Sequence, residues 1–228
     1  MHFEWIMIPY SLLTLFIVIN YGLLLTALMQ KIGARVGRRH GIPIWQNYLD
    51  LIKNYSIRSS VTHGVMFYLG PVFRLTGGIG LLLFVPSIFG SEMFSNLSFA
   101  GDLILALYFV FFGSLGMALG AGESGHPYAA IGVSRGLSQV TTSELPFALA
   151  VFAVALQYQT LSVTEIVAAQ QGSVLNWTLF TSPLAVAAAM LSFLGSMMRP
   201  PFDVVLAPQE IPIGPPTEYH SSYLALMQ

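Results

Sequence analysis

The chain has no cysteine, and only 8% of its 228 residues carry a charge. The first absence excludes disulfides and any iron–sulfur cluster held by this chain's own thiolates. Partner subunits remain free to carry both. The second absence excludes a watered exterior. A soluble domain spends about a quarter of its residues on charge. Here 55% of residues are hydrophobic, so most of the surface must face lipid. No Lys or Arg precedes the first apolar run, which opens behind Glu4. A cleaved signal peptide wants a positive leading region and a shorter apolar core, so this run reads as a retained span. The five histidines, His2, His40, His63, His126 and His220, lack metal-ligand spacing. Gly77-Gly78-Ile79-Gly80 and Gly120-Ala121-Gly122 follow no strand, so they are not phosphate loops. In a membrane helix such glycines permit close packing. No nucleophile–base constellation is present. No catalytic centre, no cofactor of the chain's own and no nucleic-acid partner are therefore expected.

What is there is a series of apolar runs at about 6–29, 65–88, 101–119, 137–158 and 178–198. Each approaches the roughly 20 residues that cross a bilayer core as a helix. Lipid cannot satisfy open backbone groups, so helices are the only choice. The expectation is an all-α integral membrane protein, a single membrane domain over 1–228. It has about five transmembrane helices, a cytoplasmic-side amphipathic helix at about 42–57, and a Pro-rich acidic C-terminal loop at 199–228. Lys31, Arg35, Arg38, Arg39, Lys53 and Arg58 lie between the first two spans, Arg135 between the third and fourth, and Arg199 after the fifth. Segments 89–100 and 159–177 carry no cation. The positive-inside rule then puts the N-terminus outside and the acidic loop in the cytoplasm of a multi-pass plasma-membrane protein.

The ninth cation, Arg74, falls inside the second span. Its long stem allows snorkelling toward the cytoplasm; the alternative is a counter-ion for a buried acid. Between the first two spans, Trp45, Tyr48, Leu49, Ile52 and Tyr55 recur at helical spacing, with Asn47, Asp50, Lys53 and Asn54 opposite. This pattern reads as a helix in the interface plane. A membrane-surface strut is the plain reading, and a docking face for a soluble partner the functional one.

Glu144 is the sharpest anomaly. From Glu144 to Tyr158 a helix spans only about 22 Å, so the fourth span must start earlier, near Leu137. That places Glu144 inside the membrane and Arg135 at its cytoplasmic mouth. Pro146 frees the carbonyl of Thr142, and Thr141, Thr142 and Ser143 offer hydroxyls nearby. An intramembrane acid in a kinked turn suggests a proton site; a structural Glu bonded to neighbouring helices is the alternative. Arg135 and Glu144 are half a rotation out of phase on one helix, so no direct ion pair is expected. Glu92, Asp102 and Glu165 read as solvated surface. The stretch from Arg199 to Tyr219 holds three carboxylates, six prolines and one glycine. Proline lacks a backbone donor and fixes φ, so this is a stiff acid-bearing segment, not another plain helix.

Several strings together resemble a known family. They are Ala34-Arg35-Val36-Gly37-Arg38-Arg39-His40-Gly41-Ile42-Pro43 with Gln46 and Asp50-Leu51-Ile52-Lys53, then Phe67-Tyr68-Leu69-Gly70-Pro71. Next come Ser124-Gly125-His126-Pro127-Tyr128-Ala129-Ala130-Ile131-Gly132 running into Ser134-Arg135, and Ser143-Glu144. Last are Pro201-Phe202-Asp203, Gln209-Glu210 and Thr217-Glu218-Tyr219. In order and spacing they resemble the membrane subunit of complex I that anchors its peripheral arm. They are closer to the counterpart of that subunit in energy-converting membrane-bound nickel–iron hydrogenases and sulfane reductases. The resemblance implies a subunit that anchors a peripheral redox arm and couples electron transfer to proton or sodium translocation. It implies hydrogenase-like large and small subunits, an iron–sulfur subunit and antiporter-like membrane subunits as partners. A NiFe centre or iron–sulfur clusters would reside in those partners. The matching coupling positions are Glu144, Arg135, Asp203, Glu210 and Glu218. Arg35, Arg38, Arg39, Asp50 and Lys53 form the matching docking face.

The departures set the alternatives. Quinone-reducing relatives have an acid-dense loop where this chain has Leu206, Pro208 and Ile213. That thinning favours a hydrogenase-type or sulfane-type complex over a quinone site. Gly136 stands where many hydrogenase relatives carry an acid, and Gly41-Ile42-Pro43 where the family has Gly-Pro-Pro. Family members continue with further spans after the acidic loop, so a separate chain or an incomplete sequence is expected to account for them. A quinone-site subunit and a passive membrane anchor are the runners-up. A stand-alone transporter fits poorly, because no internal repeat is present.

Overall fold

The computed structural model describes residues 7–58, 63–85, 97, 99–198, 201–205 and 214–227. Regular structure among these residues is all helical. The first helix, α1, runs Met7–Val36. The amphipathic segment forms α2 over Gln46–Ser56. Then come α3 at Val65–Phe84, α4 at Asp102–Gly122 and α5 at Pro127–Tyr158. Four of these, α1, α3, α4 and α5, are long and apolar enough to cross a membrane.

At 30 residues α1 is about 45 Å long, more than the roughly 30 Å of a bilayer core. Its last turns, with Lys31 and Arg35, therefore project beyond the hydrocarbon. The chain then reverses. Arg39 N–H reaches Ala34 O at 2.7 Å and Arg38 N–H reaches Arg35 O at 3.0 Å, a Schellman-type close with Arg38 at φ +55°. This brings α2 back against the middle of α1. Asn47 Nδ2 donates to Leu23 O at 3.0 Å, and Tyr48 Oη meets Asn20 Oδ1 at 3.0 Å. Trp45, Leu49, Ile52 and Tyr55 point away from the protein and are exposed.

Helices α3 and α4 form the tightest pair, and glycine is the reason. A Cβ at Gly70 would come 2.7 Å from Gly116 O and Gly120 Cα, and one at Gly77 would come 2.9 Å from Gly113 N. The two backbones thus touch along a seam that no side chain fits. Helix α5 packs on α4 as well.

The fourth span is longer than the expected 137–158. His126 accepts from Tyr128 N–H at 3.2 Å through Nδ1 and Pro127 takes the first helical position, so α5 starts ten residues earlier. Arg135 consequently sits in the third turn of the helix, not at its mouth. The fifth span is broken. After α6 at Val163–Ala169 and a 3₁₀ turn at Val174–Asn176, α7 covers Thr178–Thr181 and α8 covers Pro183–Ser196. Ser182 leaves helical geometry ahead of Pro183. At the start of α4 Asp102 is fully buried, not solvated as expected, and its Oδ1 accepts from Val163 N–H at 2.8 Å. The segment expected as a plain acidic loop ends in structure too. A 3₁₀ turn spans Pro215–Glu218, and a short helix, α9, spans Ser221–Met227 and packs on α2 and α3.

Candidate functional site

The site is a junction built around Phe67, the third residue of α3, which is 1% exposed. Physical chemistry leaves both of its backbone groups without a helical partner. The first four N–H groups of a helix have no carbonyl behind them. The carbonyl of Phe67 should accept from the residue four ahead, but that residue is Pro71, which has no N–H. Two distant side chains supply what is missing. Glu123, just past α4, accepts from Phe67 N–H through Oε2 at 2.6 Å. Tyr219, from the tail, donates its hydroxyl to Phe67 O at 2.9 Å.

Tyr219 is fixed by more than that bond. Its ring stacks on Phe67 with centroids 4.2 Å apart and planes 7° apart. Its hydroxyl occupies the space a Cβ at Gly120 would need. Burial, and then the charge of Glu123, push the phenol well above its ordinary range, so it stays a donor. Upstream, Gly214 turns the chain at φ +62°. Pro215 then lies on Gly132 of α5, where a Cβ would come 2.7 Å from its Cδ. Downstream, Ser221 Oγ donates to Ile57 O, and Tyr223 packs on Tyr68 at 5.2 Å. The tail is thereby bound to α3, α4, α5 and the end of α2.

Glu218, one residue before Tyr219, faces His126 at the start of α5, with Oε1 3.9 Å from Nε2. Because His126 Nδ1 accepts from Tyr128 N–H, the neutral ring carries its proton on Nε2, toward Glu218. His220 Nδ1 lies 3.2 Å from Glu218 O. Further along α5, Gln139 Nε2 donates to Gly195 O at 2.9 Å and to Phe202 O at 2.6 Å. These two carbonyls join the end of α8 and the Pro-Phe-Asp turn to α5. Val205 is fully buried and packs on Gly136. Asp203 Oδ1 and Gln139 Oε1 are both buried without a hydrogen-bond partner among the described residues.

Of the residues singled out from the sequence, Asp203, Arg135 and Glu218 all belong to the end of the bundle where the tail meets α5. Glu210 lies outside the described residues, as does Arg199. Glu144 is half-buried with exposed Leu145 and Leu149 beside it, so the acid stands at the rim of the α5 surface. The nearby hydroxyls are engaged elsewhere. Thr141 donates to Leu137 O at 2.7 Å, Thr142 to Ser138 O at 2.9 Å, and Ser143 packs on Gly195 of α8. Arg35, Arg38 and Arg39 are exposed at the end of α1 and Lys53 on α2, while Asp50 accepts from Gln46 Nε2 at 2.8 Å. Glu123, His126 and Gln139 stand out only once the chain is folded. A pointer to the Phe67 junction was available, since Pro71 announces an orphaned carbonyl one turn before it.

A family model described as NADH dehydrogenase matches residues 8–228. Hydrogenase-4 component C of Escherichia coli (strain K12) is 30% identical over 206 residues, covering 89% of this chain. The chain spans 64% of the length of that curated relative. Among solved structures, the chain resembles one of the membrane-bound sulfane sulfur reductase, an archaeal respiratory membrane complex, with TM-score 0.86 and 31% identity. That match covers 97% of this chain and 72% of the other.

Proposed function

The chain belongs to the NADH dehydrogenase family, and we propose on that premise that it is a joint subunit of a complex-I-like respiratory complex. In this reading it is the counterpart of the complex I subunit that anchors the peripheral arm, in an assembly of the membrane-bound hydrogenase or sulfane reductase type. It holds a peripheral arm of hydrogenase-like large and small subunits with an iron–sulfur subunit. It borders antiporter-like membrane subunits and couples electron transfer to proton or sodium movement. The NiFe centre or iron–sulfur clusters belong to the partners. The N-terminus is outside the plasma membrane, and the tail with the basic run of Arg35, Arg38 and Arg39 is cytoplasmic.

The observation that carries this reading is the seating of Glu218. Its neighbour Tyr219 is locked into α3, and Glu218 itself looks at the first residue before α5. The same helix carries Arg135, Gln139 and Glu144. From His126 to Glu144 is about 27 Å along α5, so any proton relay passes through intermediate groups and water. Glu144→Gln in sealed membrane vesicles tests the reading. Electron flux is expected to persist while the ion gradient it drives is lost. An undiminished gradient at normal turnover refutes coupling through Glu144 and leaves a passive anchor.

A further inference from the structure

Arg74 is the residue that the junction does not use. It stands ten residues into α3, about 13 Å from the start of the helix, near the middle of a core roughly 30 Å thick. It lies on the α3 row that includes Gly70 and Gly77, four residues after one and three before the other, so it stands at the seam with α4. There the glycines leave the guanidinium no room between the backbones. It runs instead along α4, where Nη1 is 3.2 Å from Met117 Sδ.

A thioether is a weak acceptor, and a guanidinium offers five N–H donors. Among the described residues no carboxylate pairs with Arg74, and the thioether is its one hydrogen-bonding contact. Met117 is five residues inside the end of α4, about 7 Å. The charge is therefore held within the hydrocarbon and not delivered to the headgroups, as plain snorkelling would have it. A charge so placed is costly, and an opposite charge at the same depth is the partner that offsets most of that cost. Arg74 is itself only half-buried, and one turn further along its row a Cβ at Gly78 would meet nothing within 4 Å, so this side of α3 is open to another helix.

We propose that Arg74 is the docking point for a carboxylate on a membrane-spanning helix of a neighbouring subunit. A lipid phosphate is the competing anion, but its natural level is the surface. A side-chain acid on a helix can sit at any depth. Met117 also packs against the Phe67–Tyr219 cluster. The neighbour's acid would thus meet this chain one side chain from the anchor of the tail. The inference rests on the reading that the chain works inside a multi-subunit membrane complex.

Replacing Arg74 by lysine supplies a nucleophilic amine at the same place. Membranes carrying Arg74→Lys are treated with a membrane-permeant carbodiimide, and the intact complex is purified and digested for mass spectrometry. The reagent activates a carboxyl group, the amine attacks it, an amide forms, and the carbodiimide leaves as its urea. The expected product joins position 74 to an Asp or Glu in a span of another subunit. A link to a lipid, a link only to an acid of this chain, or no link overturns the inference. Arg74→Met keeps the stem and removes the charge. It is expected to weaken retention of that neighbour in detergent about tenfold or more, with the tail's hydrogen exchange unchanged. Retention equal to that of the unaltered complex overturns the inference too. Should Arg74→Met fail to accumulate, the lysine variant decides. Purification of the unaltered chain without any other membrane subunit refutes the broader functional reading, whereas an intact complex with no link at position 74 refutes this inference alone.

Discussion

Changing Tyr219 to Phe removes one oxygen and leaves the ring where it is. The stack on Phe67 survives, and so does the shape of the core around it. What disappears is the donor to Phe67 O, a carbonyl that Pro71 has already deprived of its helical partner. Phe67 is 1% exposed and Tyr219 is 4% exposed, so water is not at hand to replace the hydroxyl. An unsatisfied buried carbonyl costs about 1–3 kcal/mol. That corresponds to roughly a 5- to 150-fold shift toward the undocked tail. Hydrogen exchange in the purified complex reads the shift directly. Tyr219 N–H, which bonds Pro216 O at 3.0 Å, and Thr217 N–H, which bonds Gly214 O at 3.2 Å, should exchange faster by that factor.

The same logic has a sharper consequence. Pro71→Ala restores an N–H four residues after Phe67, and that N–H can occupy the carbonyl within α3. The double variant, Tyr219→Phe with Pro71→Ala, should therefore recover much of the lost protection, by about 1–2 kcal/mol of coupling. Equal loss in the single and double variants would show that the orphaned carbonyl is not what holds the tail. Unchanged exchange in Tyr219→Phe alone would show that the stack suffices.

Glu123→Ala removes the acceptor from the first turn of α3, at an expected cost of about 0.5–2 kcal/mol, read as faster exchange at Phe67 and its neighbours. Gly70→Ala places a methyl 2.7 Å from Gly116 O and Gly120 Cα; backbone cannot step aside there, so a loss of about 1–3 kcal/mol or more is expected in thermal unfolding of the detergent-solubilised protein. The pH dependence of the tail follows from Tyr219. Its folded pKa is raised by burial and by Glu123, so the stability it contributes is complete below its unfolded value of about 10 and fades only above that. Tail protection, corrected for intrinsic exchange, should be flat from neutral pH to that limit, and a fall on mild alkalinisation would contradict it.

The membrane spans were legible because apolar runs and missing charge leave a helix no alternative. The period of Trp45, Tyr48, Leu49, Ile52 and Tyr55 likewise marks α2, and the glycines of α3 and α4 mark close packing. The ten-residue head of α5 was hidden for a physical reason. Ser134 and Arg135 lower its apolar character, while its true start signal was a capping histidine followed by proline. The break before Pro183 was also written in the residues, but the apolar run around it masked it. The junction was the least legible part. Tyr219 and Phe67 are separated by 152 positions, and local pattern carries no information about which orphaned carbonyl a distant hydroxyl will find. The hydroxyls near Glu144 were legible as residues but not as partners, because serine and threonine in a helix readily bond back to their own carbonyls, and here Thr141 and Thr142 do so.

The geometry also constrains how a redox event could move anything. Releasing Tyr219 would leave a buried carbonyl bare in the membrane, so the tail does not swing at that residue without a cost of about 1–3 kcal/mol. One position earlier the situation differs. Glu218 is about one-third exposed and meets His126 only at 3.9 Å, longer than a hydrogen bond. The two side chains can part there without breaking a buried contact. His126 is held from the other side, where its Nδ1 accepts from Tyr128 N–H at the start of α5. Tyr219 therefore acts as the fixed pivot, and the pair of Glu218 and His126 is the looser contact between the tail and the first turn of the helix that carries Glu144.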